Sequence, residues 1–490
     1  HEMNLAIKYA INLRSTAEVE RLGPLPEGIN INWDEIPEIW RRALSWLLQS
    51  HAEVFSKPGE LPKPAKIGMQ HHIITTDEVP VQIAHYRVPE RLRPEVDRQI
   101  NALLAAGLIE PSQAPWSAPL VMVAKKETAQ YRMCQDYRGL NKKTIKDDLP
   151  MPRTSDTMNS LQGNKFFTSI DLEQGFNQIP LAPSSRAKTA FQTSKGKFQW
   201  RVMPMGITNG PAAFQRSMQD VLSEYLGECC LAYLDDIVVF SKTIEQHLYD
   251  LHRVLQRLEQ KGMTVKGKKC EFMKKSLHFL GYIVSEKGAE TDPAKTEAIR
   301  GVTYPKNATE VRQFLGLVGY YKQFIKGFSH IASPLYDMTS KALSETAKFR
   351  QEWNSDPKYK AAWNKLKTAM VNPPILGYPD PSRPFILYCD ASGIAIGWIL
   401  AQKQEDSLIH VLYYGSKKLT KYEKNYTIVE KECLAIIKGM EHSKYYLYGN
   451  FTTIITDHAP LLSILNKQRP ADTMSPVLFR LAFQISAYDY

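Results

Sequence analysis

The chain has 490 residues, with 62 Lys and Arg against 51 Asp and Glu, for a net charge of +11. That length suits about three or four domains, and an apolar share of 43% permits large cores. No uncharged apolar run approaches the ~18 residues of a membrane span and no signal peptide opens the chain, so no membrane partner is expected, whereas the basic excess favours a polyanion.

Six cysteines occur, at Cys134, Cys229, Cys230, Cys270, Cys389 and Cys433. None makes a Cys-x-x-Cys pair and none has zinc spacing with His. They read as small core residues of a reducing compartment.

In chain order, residues 1–85 hold one predicted helix, about Asp34 to Phe55, set between proline-rich links such as Leu61-Pro-Lys-Pro-Ala65. This part reads as a leader packed on or tethered to the rest of the chain. From 86 to 290 helices and strands alternate. Arg91–Ala106 is an amphipathic helix, Leu120–Ala124 and Gln130–Cys134 form a hairpin, and Ile244–Lys261 is a helix. From 291 to 375 the pattern is helical, with Lys295–Arg300, Ala308–Gly327 and Lys358–Val371 separated by proline-containing breaks. From 376 to 490 a different domain begins. Phe385–Asp390, Ile394–Gln402 and Val411–Ser416 read as strands, Ile428–Met440 as a helix and Phe451–Thr456 as a fourth strand.

The most telling stretch is Tyr233-Leu234-Asp235-Asp236, between the apolar runs ending at Leu234 and starting at Ile237. Two such runs joined by a two-residue break predict a buried hairpin. Tight hairpins favour Asn-Gly or Asp-Gly, because primed turns need positive φ. Here two adjacent carboxylates stand at the break, at a cost in repulsion that a divalent cation would remove. A solvated acidic turn would look the same in isolation. Upstream, however, Phe166–Leu172 reads as a second short buried strand, ending near Asp171. Three aspartates at neighbouring strand ends suit Mg²⁺, a hard ion that prefers oxygen ligands, and two such ions serve phosphoryl transfer.

These residues resemble the palm of template-directed polymerases, and Tyr-Leu-Asp-Asp is similar to reverse transcriptases. The match extends over most of the chain beyond residue 70. It includes Gly107-Leu-Ile-Glu-Pro-Ser112, Arg132-Met-Cys-Gln-Asp-Tyr-Arg-Gly-Leu-Asn141, Met203-Pro-Met-Gly-Ile-Thr-Asn-Gly-Pro-Ala-Ala-Phe-Gln215 and Phe314-Leu-Gly-Leu-Val-Gly-Tyr-Tyr321, in the family's order. The chain thus resembles the reverse transcriptase/ribonuclease H of gypsy-type (Metaviridae) LTR retrotransposons.

The resemblance implies an α+β fold: a right-hand polymerase of fingers and palm (86–290) and thumb (291–375), then a ribonuclease H-like α/β domain (376–490), with no connection subdomain. It implies Asp171, Asp235 and Asp236 as catalytic metal ligands, with Mg²⁺ as the cofactor and Mn²⁺ able to substitute. Lys125 and Arg132 match positions that contact the incoming nucleotide. Phe176 matches the bulky residue that excludes a ribose 2′-hydroxyl. Gly206 and Gln215 match positions near the template, Tyr233 the primer's minor groove, and Phe279–Val284 the primer grip. The partners implied are an RNA template, a DNA primer, an RNA–DNA hybrid and deoxynucleoside triphosphates. Monomer and homodimer both stay open, and the implied location is cytoplasmic, within virus-like particles.

Asp390, Glu432 and Asp457 match three ribonuclease H carboxylates, also metal ligands, with Glu430 a competitor for Glu432. The family's fourth ligand lies in a further segment, and the sequence stops at Tyr490 before it, so that domain is expected to be incomplete at its C-terminal end. Two rival readings are a non-catalytic nucleic-acid-binding subunit or domesticated scaffold, and an RNA-dependent RNA polymerase. Against the latter stand Leu234, Phe176 and the ribonuclease-like domain.

Overall fold

The computed structural model describes residues 25–340, apart from 30, 85, 125–129, 151 and 153, together with 346–371, 373–465 and 474–490. It divides into two compact units, 1–277 and 278–490.

In the first unit the helix predicted over 34–55 is split. Pro37 holds extended backbone (φ −56°, ψ 139°) just ahead of α1 (Glu38–Ser50), and 3₁₀ turns at Trp33–Glu35 and Ala52–Val54 flank it. Leu44, Leu47 and Leu48 of α1 are buried in the core shared with the rest of the unit. The chain then runs on as an extended strap. Its amides donate to this unit's own carbonyls: Ser56 to Val265 at 2.9 Å, Ala65 to Gln178 at 2.8 Å, Thr76 to Lys143 at 2.9 Å and Ile83 to Ser117 at 3.1 Å. The described part of the predicted leader is therefore woven into the unit's fabric.

After α2 (Arg93–Ala105) come β1 (Ile109–Pro111) and a hairpin of β2 (Leu120–Ala124) and β3 (Tyr131–Gln135), in register from Leu120 with Gln135 to Ala124 with Tyr131. The central sheet combines β4 (Phe166–Asp171), β7 (Cys230–Tyr233), β8 (Asp236–Ser241) and β9 (Glu271–Lys274) in the order β7-β8-β4-β9. The intervening β5 (Phe191–Thr193) and β6 (Gly196–Trp200) form a separate sheet with β1, and α3 (Gly210–Val221) comes after them in the chain.

Ile237, Val238, Val239 and Phe240 are all buried, as expected of a strand covered on both faces. One cover is α4 (Ile244–Gln260), capped by Thr243, whose side chain accepts from the Gln246 amide. Beneath the sheet lies a buried polar chain. The Ser241 hydroxyl donates to Asp250 at 2.7 Å, and His247 bridges Ser241 (3.3 Å) and Thr168 (2.7 Å). It ties α4 to β4 and β8, the two strands that carry Asp171 and Asp236.

The division between the units falls within β10 (Ser276–Phe279), which forms a three-stranded sheet with β11 (Tyr282–Ser285) and β12 (Gly288–Thr291). Among the described residues, five α-helices come next: α5 (Pro293–Gly301), α6 (Ala308–Tyr320), α7 (Phe328–Ser340), α8 (Thr346–Ser355) and α9 (Pro357–Val371). The helix expected over 308–327 ends at Tyr320, and Gly327 with φ +67° separates it from α7. Phe314 stacks on Trp363 at 3.8 Å, joining α6 to α9.

Beyond them lies a four-stranded sheet in the order β15-β14-β13-β16, from β13 (Phe385–Ala391), β14 (Ala395–Lys403), β15 (Ile409–Lys418) and β16 (Thr452–Ile455). The first three are antiparallel, and β16 runs parallel to β13. A parallel neighbour needs a crossover, and α10 (Ile428–Leu447) supplies it, with α11 (Pro476–Ile485) packed on α10. The β-β-β-α-β order is the one expected. Among the described residues no helix is long and apolar enough to cross a membrane.

Candidate active sites

The polymerase-like centre is built by strand pairing. Asp171, last in β4, stands directly opposite Asp236, first in β8. Opposed residues of an antiparallel pair hold their Cβ atoms about 4.5–5.5 Å apart, and like charges there are destabilising. Asp236 also pairs with Tyr233 across the β7–β8 hairpin, so the two-residue turn is Leu234–Asp235. That shifts the break one residue from the predicted Asp235–Asp236. Leu234 carries the positive φ, at +52°, a strained value for a non-glycine residue.

Gln215 of α3 holds this turn in place. Its Nε2 donates to Ala232 O at 3.0 Å, and its Oε1 accepts from Leu234 N at 2.8 Å. The side chain is 1% exposed. Resemblance implies a place near the template, but here both ends of its amide are occupied by the turn.

Asp235 itself is folded inward. Its Oδ1 is buried without a hydrogen-bond partner. A Cβ added to Gly175 would lie 3.2 Å from that oxygen and 2.9 Å from Phe214 Cζ, so glycine makes the room. Burial, then the charges of Asp236 and Asp171, push the Asp235 carboxyl up to about 6 against the pull of Lys269. Asp236 is raised by desolvation and by Asp171, again opposed by Lys269. Lys269 Nζ reaches Asp171 Oδ2 at 3.2 Å, from a side chain 60% exposed. Such a pair offsets little of the repulsion.

Phe176 is half-buried, stacked on Phe214 at 5.2 Å and 24°, and close to Gly210. Tyr233 is half-buried at the end of β7. Arg132 on β3 is exposed and meets the Met205 sulfur at 3.8 Å. Gly206 has φ +91°, which glycine accommodates, and its carbonyl accepts from Asn141. Lys125 lies outside the described residues.

Arg132 and Met205 line a cavity of about 440 Å³ with Gln135, Asn177, Trp200 and Lys266. Of these residues, Gln135 Nε2 and Asn177 Oδ1 are buried with no protein partner. Buried polar atoms of this kind normally find water or a ligand. Sequence reasoning missed both, since no motif distinguishes them from core polar residues.

The second centre lies in the other unit. Asp390 is near the end of β13, Glu432 is near the start of α10 and Asp457 stands just past β16. Glu432 is 4% exposed. Its Oε1 accepts from the Ala391 amide at 3.1 Å, while Oε2 is buried with no partner. Burial pushes its carboxyl up; the Ala391 hydrogen bond opposes this, Asp457 and Asp390 add to it, and the result is about 7.

Glu430 does different work. It closes the capping box with Thr427 and accepts from Ser475 at 2.6 Å. Burial raises its carboxyl, but the bonds from Ser475 and Thr427 prevail and the net shift is downward. The structure thus separates a capping glutamate from a carboxylate under the influence of two aspartates.

Among the described residues, three buried carboxylate oxygens lack a partner: Asp97 Oδ1, Asp235 Oδ1 and Glu432 Oε2. Two of the three belong to the predicted metal sets. As the side chains stand, no three His, Cys, Asp or Glu among the described residues form a ready cage for an ion. Mg²⁺ asks for less, because it keeps several waters and takes one or two carboxylates plus substrate phosphates. The donors present fit that demand.

Residues 123–284 match the family model described as "Reverse transcriptase (RNA-dependent DNA polymerase)", and residues 354–454 match "RNase H-like domain found in reverse transcriptase". The Pol polyprotein of the Drosophila melanogaster transposon opus is 36% identical over 443 residues, covering 89% of this chain and 44% of that protein. That of the transposon gypsy is 34% identical over 446 residues (88% and 42%), and the Schizosaccharomyces pombe transposon Tf2-3 polyprotein is 32% identical over 440 residues (89% and 32%). The chain spans less than half the length of each of these relatives.

In fold it is similar to the foamy viral protease-reverse transcriptase in complex with dsDNA. The TM-score is 0.79 at 22% identity, over 98% of this chain and 94% of that one. The same foamy viral protein with an RNA/DNA hybrid gives 0.72 at 23%, over 98% and 61%. The chain carries the reverse transcriptase and RNase H-like domains of the gypsy-type LTR retrotransposon Pol family.

Proposed function

We propose that this chain is an RNA- and DNA-templated DNA polymerase acting by two-metal phosphoryl transfer, with a ribonuclease H domain that cleaves RNA in RNA–DNA hybrids. The observation that carries the reading is the polymerase-like centre: Asp171 opposite Asp236, with Asp235 Oδ1 buried and unpartnered beside Gly175.

Asp171, Asp235 and Asp236 would hold Mg²⁺, or Mn²⁺ in its place. Bound there, the ions supply charge stabilisation for the attacking and leaving oxygens of the transfer. The chain's own side chains bind and orient. Arg132 offers a planar cation able to stack on a base, beside a cavity lined by Gln135 and Asn177, which carry a buried, unpartnered donor and acceptor. Lys125 is the matching phosphate contact. Phe176, braced on Phe214, excludes a 2′-hydroxyl by bulk. Gly206 and Tyr233 border template and primer, Phe279–Val284 grips the primer, and Gln215 holds the catalytic turn.

In the second centre Asp390, Glu432 and Asp457 would hold the metal pair for attack of water on the RNA strand. We assign residues 86–290 to fingers and palm, 291–375 to thumb and 376–490 to the ribonuclease domain. The substrates are then an RNA template, a DNA primer and deoxynucleoside triphosphates. The dsDNA and RNA/DNA hybrid named for the foamy viral structures support the choice of ligand.

The test is extension of a labelled DNA primer on an RNA template with Mg²⁺, run with deoxynucleotides and in parallel with ribonucleotides. Extension with deoxynucleotides only is expected. Binding of the hybrid with no extension at any Mg²⁺ or Mn²⁺ concentration would favour the non-catalytic scaffold instead.

A further inference from the structure

The hairpin between β10 and β11 turns on Leu280 and Gly281, with φ of +49° and +76°. Positive φ at both central residues is the mark of a type I′ turn, which usually takes Asn-Gly. Leucine at the first position is unfavourable, so something outside the turn must favour this conformation.

Two consecutive tyrosines of this unit do so. The Tyr320 hydroxyl donates to Leu280 O at 2.6 Å and the Tyr321 hydroxyl to Gly281 O at 2.7 Å. The rings are fixed in turn. Tyr282, the first residue after the turn, stacks on Tyr320 at 5.5 Å and 21° and meets Tyr321 edge-on at 5.5 Å and 80°. Phe324 also stacks on Tyr282, at 5.9 Å. Gly281 leaves the room for this approach: a Cβ there would lie 3.4 Å from the Tyr320 hydroxyl.

Leu280 and Gly281 are only half-buried, so water could satisfy their carbonyl oxygens. Stability alone does not call for two protein donors at this point. What they add is selection of a single turn conformation, tied to the end of α6.

We propose that Tyr320 and Tyr321 are positioning residues for primer extension, clamping the Leu280–Gly281 turn so that it meets the primer in one fixed geometry. This rests on the reading of Phe279–Val284 as the primer contact.

The experiment uses the full chain with Tyr320→Phe, Tyr321→Phe and the double substitution, which remove the hydroxyls and keep the rings. Single-nucleotide incorporation on primed RNA is measured together with primer–template affinity and the thermal unfolding midpoint. The double variant is expected to incorporate about tenfold more slowly, as small misplacements of reacting groups do. Affinity should change less than about twofold and the unfolding midpoint should hold. Tyr320→Phe alone, at a residue 49% exposed, is expected to show part of the loss with no effect on folding, and so serves if the double variant unfolds.

Rates equal to the parent in all three variants would overturn the clamp. Separately, a photoreactive residue replacing Leu280 should crosslink to the primer strand. No crosslink would overturn the primer-contact reading itself and the clamp with it. A crosslink with unchanged rates would overturn the clamp alone.

Discussion

Gly175 and Asp235 fit together: the Asp235 Oδ1 atom occupies space that a side chain at 175 would take, 3.2 Å from where a Cβ would stand. Gly175→Ala must move either that carboxylate or the Phe214 ring, 2.9 Å from the same point. Its φ is not in the positive range, so the effect is one of space and not of backbone. We expect polymerase activity to fall about a hundredfold with a stability loss of about 1–3 kcal/mol from overpacking, read by single-turnover extension beside denaturant unfolding.

Asp235 also predicts a trade between stability and function. Its folded carboxyl is held at about 6, above the ordinary carboxylate range, by burial and then by Asp236 and Asp171. The folded state therefore binds this proton more tightly than the unfolded state. Its contribution is favourable at acid pH and is lost as pH rises from about 4 through 6. Without divalent ions at pH 7, Asp235→Asn should raise stability by about 1–2 kcal/mol. Added Mg²⁺ should raise the unfolding midpoint of the parent more than that of the variant. A lower midpoint for the metal-free variant would contradict the assigned strain.

Gln215 is predicted to act through the turn. Gln215→Leu would leave Leu234 N and Ala232 O without their present partner, at a cost of about 1–3 kcal/mol for buried groups. Extension should slow on every template sequence alike. A loss confined to particular templates would mean that Gln215 touches the template instead.

The two glutamates of α10 should separate cleanly. Glu432→Gln is expected to abolish any hybrid cleavage while leaving stability equal or higher, since its carboxyl is pushed up to about 7 mainly by burial. Glu430→Ala should leave that chemistry intact and cost about 1 kcal/mol through loss of the capping box. Cleavage assays and thermal unfolding of both variants decide the matter.

Acid sensitivity should arise from the polar chain beneath the sheet. Burial pushes His247 down to about 3, against an unfolded value near 6.5. Its contribution is fully present above that unfolded value. As pH falls from about 6.5 towards 3 the unfolded state takes up a proton that the folded state refuses, so stability is lost at up to about 1.4 kcal/mol per pH unit. His247→Gln should reduce that slope by about one proton, measured by denaturant unfolding at pH 7 and pH 5.

The polymerase-like centre was legible in outline because its parts are local. Asp171, Asp235 and Asp236 each end or begin an apolar run, and buried strands announce themselves that way. The capping box was readable too, as Thr427-x-x-Glu430 ahead of an apolar helix, and the motif alone would have set Glu430 aside. What the sequence concealed depends on approach between distant segments. Gln215 reaches across to Leu234 from another element, and Gly175 matters only because Asp235 arrives beside it. The turn was displaced by one residue because Asp236 is fixed from both sides, by Tyr233 and by Asp171. Helix α7 escaped notice because it carries Pro334 in its interior, a residue that argues locally against a helix.

The most direct test of the account is single-turnover extension of a DNA primer on RNA by the parent and by Asp235→Asn, with primer–template affinity measured in parallel. The account predicts extension by the parent with deoxynucleotides and Mg²⁺, and a loss of at least about a thousandfold in the variant with affinity retained. Extension by Asp235→Asn at the parent's rate would contradict it and place the chemistry elsewhere.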